Sequence, residues 1–242
     1  MKQQIQRWIR SAIRKSGFDI VHFAHNHPDF VLKKGFEAHA ISTILDVGAN
    51  RGQFASHAFD YGFNGVIHSF EPFPAAFGAL RTAAQSRAKW QVHQIALSCT
   101  SGTASLNIGV NDQTCSLRSP LAGAADRIPD MTSAGHVDVK TTTLDEFLQT
   151  ESIDPARCFL KLDVQGSERD VLEGARGSVG RIPLLQLETA ITPTYEGEAR
   201  LAEMIDYVHS IGMVVRAFRD VFANPHTSEL MQVDLIAERT RR

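Results

Sequence analysis

Cysteine is scarce in this chain: Cys99, Cys115 and Cys158 are the three among 242 residues, and no two form a C-x-x-C pair. An odd count without paired spacing excludes a disulfide framework and a zinc knuckle, and it fits a reducing setting. No apolar run is long enough to span a bilayer, and the N-terminus lacks the uninterrupted apolar core of a secretory signal. A cytoplasmic location is the expectation. The formal net charge is only −2, so the basic excess of a nucleic-acid binder is missing, and nucleic acid is not an expected partner. Internal repeats and low-complexity linkers are absent too, and a hydrophobic fraction of 43% suffices for a full core.

Residues 1–40 read as an N-terminal helical extension, and residues 41–242 as the main domain. Within the extension, Lys2, Arg7, Arg10, Arg14 and Lys15 stand without any acidic residue through position 15. Ile5, Trp8, Ile9, Ala12 and Ile13 recur among them at helical spacing. Such a basic amphipathic helix has two uses: packing its stripe on the main domain, the commoner case, or peripheral contact with the inner, anionic face of a membrane. His22, His25, His27 and His39 follow without metal-ligand spacing and read as surface or cap-region histidines.

From Thr43 onward strand and helix signals alternate, which predicts a mainly parallel sheet covered on both faces. Strands are expected at 43–47, 65–70, 90–95, 103–108, 137–140, 158–164, 183–187, 213–218 and 231–237, the last two pairing antiparallel. Helices are expected at 51–61, 74–86, 144–148 with Thr143 as cap, 167–175 and 201–210. Residues 109–136 break the rhythm and read as a lid or substrate loop.

The chemistry gathers at strand ends. Asp46 precedes the turn Gly48-Ala49-Asn50-Arg51-Gly52, and Glu71 closes the second strand 25 positions later, where a carboxylate can accept both ribose hydroxyls. The turn lacks the middle glycine of a dinucleotide fingerprint. A carboxylate aimed into it repels a diphosphate and attracts a cationic sulfonium, which favours S-adenosyl-L-methionine over NAD. An NAD-dependent oxidoreductase on a similar sheet is the alternative enzyme reading.

Five stretches in order carry a resemblance: Leu45-Asp46-Val47-Gly48-Ala49-Asn50-Arg51-Gly52, Ser69-Phe70-Glu71-Pro72-Phe73-Pro74, Ala96-Leu97-Ser98, Thr142 to Phe147, and Lys161 to Glu168. Over residues 40–240 the chain resembles the FkbM family of S-adenosylmethionine-dependent methyltransferases. Two positions depart: Cys99 where aspartate is frequent, and Gln165 where many members have glutamate. The resemblance implies a class I, Rossmann-like methyltransferase fold, an α/β sheet of seven mostly parallel strands ordered 3-2-1-4-5-7-6, with helices on both faces and the last strand antiparallel. It implies methylation of a hydroxyl on a sugar, glycolipid, polysaccharide or other secondary metabolite; a non-catalytic cofactor-binding member is the remaining alternative. Asp46, Gly48, Asn50, Gly52, Phe54 and Glu71 would hold the methionine and ribose parts, with Ala96 and Leu97 near the adenine. Asp163 is the first candidate for base or hydroxyl orienter and Glu188 the second, while Ser116 and Tyr195 are expected in the substrate walls. His68 and His136 are weaker candidates, and no metal is assigned.

Overall fold

The computed structural model describes residues 2–16, 27–128, 131–224 and 227–240; the side chains of residues 2–7, 127, 220 and 221 are outside that description. His22 and His25 therefore lie outside the described residues. The central sheet takes β1 (Thr43–Val47), β2 (Val66–Phe70), β3 (Trp90–His93), β7 (Cys158–Leu162), β8 (Leu184–Ala190), β9 (Met213–Ala223) and β10 (Leu230–Arg239). Its order is β3-β2-β1-β7-β8-β10-β9. β3, β2, β1, β7 and β8 run parallel, and β10 lies antiparallel between β8 and β9. This is the expected 3-2-1-4-5-7-6 order, and the order reverses at β1, where ligands bind in open α/β sheets.

The strands read as near-continuous apolar runs because both faces are covered. Leu45, Val47, Leu160, Leu162, Leu185, Leu187 and Leu235 pack against α6 (Leu144–Thr150), α7 (Glu168–Glu173) and α8 (Leu201–Ser210). On the opposite face Ile44, Ile67, Phe159, Leu184 and Ile236 meet α2 (Pro28–Ala38), α3 (Gln53–Asp60) and α4 (Pro74–Ala84). α2 begins where sequence chemistry demands it: the His27 side chain accepts from the Asp29 amide, and Pro28 occupies the first turn. Gly35 lets α2 sit on β8, since a Cβ there would stand 2.9 Å from a Leu184 methyl. At its end His39 pairs with Glu238 of β10 at 2.9 Å. The two described histidines of this segment are thus helix caps, and α2 is part of the main body.

Residues 109–136 are more ordered than expected. A 3₁₀ turn (Asp112–Thr114) and α5 (Ala124–Arg127) interrupt them, and β6 (Ser133–Thr142) starts inside the supposed loop. β6 pairs antiparallel with β5 (Gly102–Gly109) and parallel with β4 (Ala96–Leu97), making a second, three-stranded sheet. The strand expected at 90–95 stops at His93, and Ala96 and Leu97 beyond it form a separate short strand of the small sheet. α3 starts at Gln53, two residues after the expected position, because Gly52 (φ +89°) turns the chain through the left-handed region.

Candidate active site and cofactor cleft

A cavity of ≈ 440 Å³ opens at the carboxyl end of β1. Gly48 (φ +77°) makes the turn out of the strand, and a Cβ there would fall 1.7 Å from the Asp163 carbonyl oxygen. No other residue fits that crossing. At the next strand end Glu71 accepts from the Asn50 amide at 2.9 Å and from the Phe73 amide at 2.8 Å. Burial pushes the Glu71 carboxyl up to about 7, against the two amides that stabilise its charge, while Asp112 and Asp46 push the same way as burial.

Beneath the cleft runs a polar row across the sheet. In register, Ser69 of β2 stands beside Asp46 of β1, Asp46 beside Lys161 of β7, and Lys161 beside Gln186 of β8. The Trp90 indole donates to the Ser69 hydroxyl at 2.9 Å, and that hydroxyl donates to Asp46 at 3.0 Å. The Lys161 ammonium lies 3.3 Å from both Asp46 and Asp163. Burial alone would depress the Lys161 ammonium, yet Asp163 and Asp46 together hold it above its ordinary value, so it stays charged. Burial raises the Asp46 carboxyl, opposed by Lys161 and Ser69.

At the end of the row sit two acids. The Gln165 side-chain amide donates to Asp163 at 3.1 Å and to Glu188 at 2.8 Å. Gln165 itself adopts φ +53°, and both of its carbonyl oxygens are held by hydroxyls from other segments. The Ser116 hydroxyl donates to its main-chain oxygen at 2.6 Å and the Tyr195 hydroxyl to its Oε1 at 3.2 Å. Glu188 is raised well above the usual carboxylate range by burial, with Asp163, Glu168 and Asp234 adding to the shift and Lys161 opposing it.

Gly48, Asn50, Phe54, Glu71, Ala96, Leu97, Ser116, Asp163 and Glu188 all line this cavity. Asp46, Gly52 and Tyr195 do not. Asp46 is fully buried, facing Lys161 and Ser69 because strand alternation turns it onto the α2–α4 face. Gly52 packs under Trp90 and Leu80, and Tyr195 braces Gln165 from behind. Glu188 lies inside β8 rather than at its end. His68 is buried against His93, ring centroids 5.4 Å apart, and His136 is exposed on β6; neither lines the cavity. Lys161, Gln186, Arg219 and Asp234 line it without having been singled out from the sequence. The available signal was a charged or amide residue inside otherwise apolar strand runs, since such groups enter a core only when paired.

The cleft fits a nucleoside sulfonium. Ile95, Ala96, Leu97, Leu106 and Pro72 offer an apolar slot, the Glu71 carboxylate lines the cavity beside them, and one buried atom on the wall, the Ser167 hydroxyl, has no hydrogen-bond partner within the described residues. Strand order and cleft together define a class I methyltransferase, with S-adenosylmethionine as its methyl donor. The chain belongs to the FkbM methyltransferase family: the methyltransferase FkbM domain matches residues 46–215. It is 25% identical over 188 residues to 2-O-methyltransferase NoeI of Sinorhizobium fredii, covering 74% of this chain and 75% of that one. It is 26% identical over 210 residues to 31-O-demethyl-FK506 methyltransferase FkbM of Streptomyces tacrolimicus, covering 78% and 79%. Among solved structures, an rRNA methylase from Streptococcus thermophilus aligns at a TM-score of 0.48 with 11% identity, covering 91% of this chain and 100% of that one.

Proposed function

We propose that the protein transfers the methyl group of S-adenosylmethionine to a hydroxyl, on a sugar unit of a glycolipid, polysaccharide or other secondary metabolite. One observation carries the reading: Gln165 holds Asp163 and Glu188 side by side as acceptors on the cavity wall. The cofactor supplies an electrophilic methyl; the chain must place an oxygen in line with it and take away one proton. Asp163, partly open to the cleft and held by Lys161, orients the hydroxyl. Glu188, buried and of raised proton affinity, receives the proton as the oxygen–carbon bond forms. The names of the two relatives, both O-methyltransferases, support the same chemistry.

The test is calorimetry with S-adenosylhomocysteine paired with radiolabelled methyl transfer onto glycolipid extracts. Asp163→Ala and Glu188→Gln are expected to keep product affinity within about threefold and to lose turnover by about 100-fold or more. Retention of both by Asp163→Ala would remove it from the mechanism. Tight NAD binding with no response to S-adenosylhomocysteine would overturn the whole reading.

A second element of the proposal is peripheral membrane contact. α1 (Lys2–Arg14) forms as the spacing predicts, and Trp8 and Ile9 are 73% and 40% exposed on it rather than covered by the main body. No described helix is long and apolar enough to cross a membrane. An exposed tryptophan on a helix bearing basic residues and no acidic ones suits an anionic lipid surface. The full chain is expected to sediment with phosphatidylserine vesicles and a chain lacking residues 1–15 to stay in solution; equal sedimentation sinks the idea.

A further inference from the structure

We propose that Gln186, Asp234 and Arg219, beside Glu188, form an acceptor subsite for a neutral polyhydroxylated ring, a site that rests on the hydroxyl-methylation reading above. These residues continue the polar row beyond Lys161, away from the cofactor turn. In register, Glu188 of β8 stands beside Asp234 of β10, and Asp234 beside Arg219 of β9. All four line the cavity.

Gln186 is the anchor of the subsite. It is 2% exposed within a strand whose neighbours are Leu184, Leu185 and Leu187. Its amide nitrogen donates to Asp234 at 2.7 Å, while its Oε1 has no partner among the described residues. A buried amide oxygen without a donor is unfavourable, and a ligand hydroxyl pointing at it removes that cost. Asp234 is half-buried beside it, its carboxyl raised by partial burial and by Asp163, with Arg219 and Lys161 opposing the shift.

Charge decides the ligand class. Arg219 lies 3.7 Å from Asp234 and also bonds Asp29 of α2, so its positive charge is already matched by two carboxylates. The wall then offers mainly acceptors: Gln186 Oε1, Asp234 and Glu188. An anionic ligand meets like charge there, and an apolar one leaves the amide oxygen and carboxylates unsatisfied. Vicinal hydroxyls supply the missing donors. One of them would then stand near Asp163 and Glu188, where the proton is removed, while its neighbours fix the ring.

The full-length protein saturated with S-adenosylhomocysteine is titrated, by saturation-transfer NMR, with neutral methyl hexopyranosides, methyl glucuronide and cyclohexanol. Neutral glycosides are expected to bind at least about tenfold more tightly than either of the others, a difference of about 1.4 kcal/mol. Gln186→Leu and Asp234→Asn are each expected to weaken glycoside binding about tenfold and to leave S-adenosylhomocysteine affinity within twofold, which also reports correct folding. Should Gln186→Leu fail to bind the product, Asp234→Asn carries the comparison. Equal binding of cyclohexanol or glucuronide, no glycoside binding by product-loaded protein, or variants indistinguishable from wild type would each overturn the subsite. Failure of the hydroxyl-methylation reading looks different: the wild type ignores S-adenosylhomocysteine, or methylates nitrogen or carbon acceptors in place of hydroxyls.

Discussion

Glu71 shows how one side chain can make cofactor affinity depend on pH. Its carboxylate is fixed by two backbone amides and faces the cleft, while burial, Asp112 and Asp46 lift it to about 7. Ribose hydroxyls donate best to the ionised form. S-adenosylhomocysteine should therefore bind more tightly as pH rises through about 7 and more weakly below it. Isothermal titration across pH 5.5–8.5, roughly the span in which buried carboxylates of this kind titrate, checks this. Glu71→Gln should bind about tenfold more weakly at the upper end and show a flat profile through the Glu71 range. A wild-type profile that is equally flat would show that cofactor affinity does not depend on that charge. Gly48 is the second residue at which geometry leaves no latitude. Gly48→Ala places a methyl group into the Asp163 carbonyl oxygen, and the acid pair shifts with it.

Among the elements, the segment after β5 has the most to say about turnover. It is pinned at both ends. Arg51 of the cofactor turn bonds Asp112 at 2.7 Å, and Arg118 bonds Asp170 of α7 at 2.8 Å and the Glu196 carbonyl oxygen at 2.9 Å. Between the pins, Asp112, Gln113, Cys115, Ser116 and Leu117 roof the cavity. Arg118→Ala removes one pin without touching the cleft, at a stability cost of about 1 kcal/mol for a partly exposed pair. The roof should then open more often: faster proteolysis between residues 119 and 131, and product release accelerated several-fold in stopped-flow. An unchanged digestion pattern would mean that Ser116 and Tyr195 suffice to hold it. The sequence showed this segment as an irregular interval, because the pairing that orders its end is non-local. Ser133 to His136 have no alternation of their own and become strand only against Gly109, Ile108 and Asn107 of β5. By contrast α8, the Thr143 cap and the β9–β10 hairpin were legible, since each is written in neighbouring residues.

For the whole molecule, the buried acids at the carboxyl end of the sheet are the main energetic feature, and they explain what the sequence left out. Strand patterns announced Asp46, Glu71 and Asp163, but which way such an acid faces depends on partners brought by distant segments: Ser69 and Lys161 for Asp46, Asp234 and Gln165 for Glu188. Linear spacing carries no record of those pairings. Their common consequence is a pH-dependent stability. Burial raises Glu71 to about 7 and Glu168 to about 8, and it raises Asp46, Glu188, Glu198 and Asp234 in the same direction. Each binds a proton more tightly folded than unfolded, so the folded state holds more protons once pH exceeds the unfolded value of about 4.5. Stability is then fullest near or below that value with respect to these groups and falls as pH rises to about 8, where Glu168 is the last of the valued pair to ionise. Surface Glu37 and Glu173, lowered by hydrogen bonds from Lys34 and Arg169, act in the opposite sense and only at more acidic pH. Thermal unfolding of the ligand-free protein should show a midpoint that declines between pH 5 and pH 8, roughly the interval between these two limits. Glu168→Gln keeps an acceptor for the Val164 amide, now 2.9 Å away, and removes the ionisation among Glu198 and Asp163. Its midpoint should fall less steeply over the upper part of that interval than the wild type's. Parallel curves for the two proteins would show that Glu168 stays protonated, or ionises freely, throughout the range.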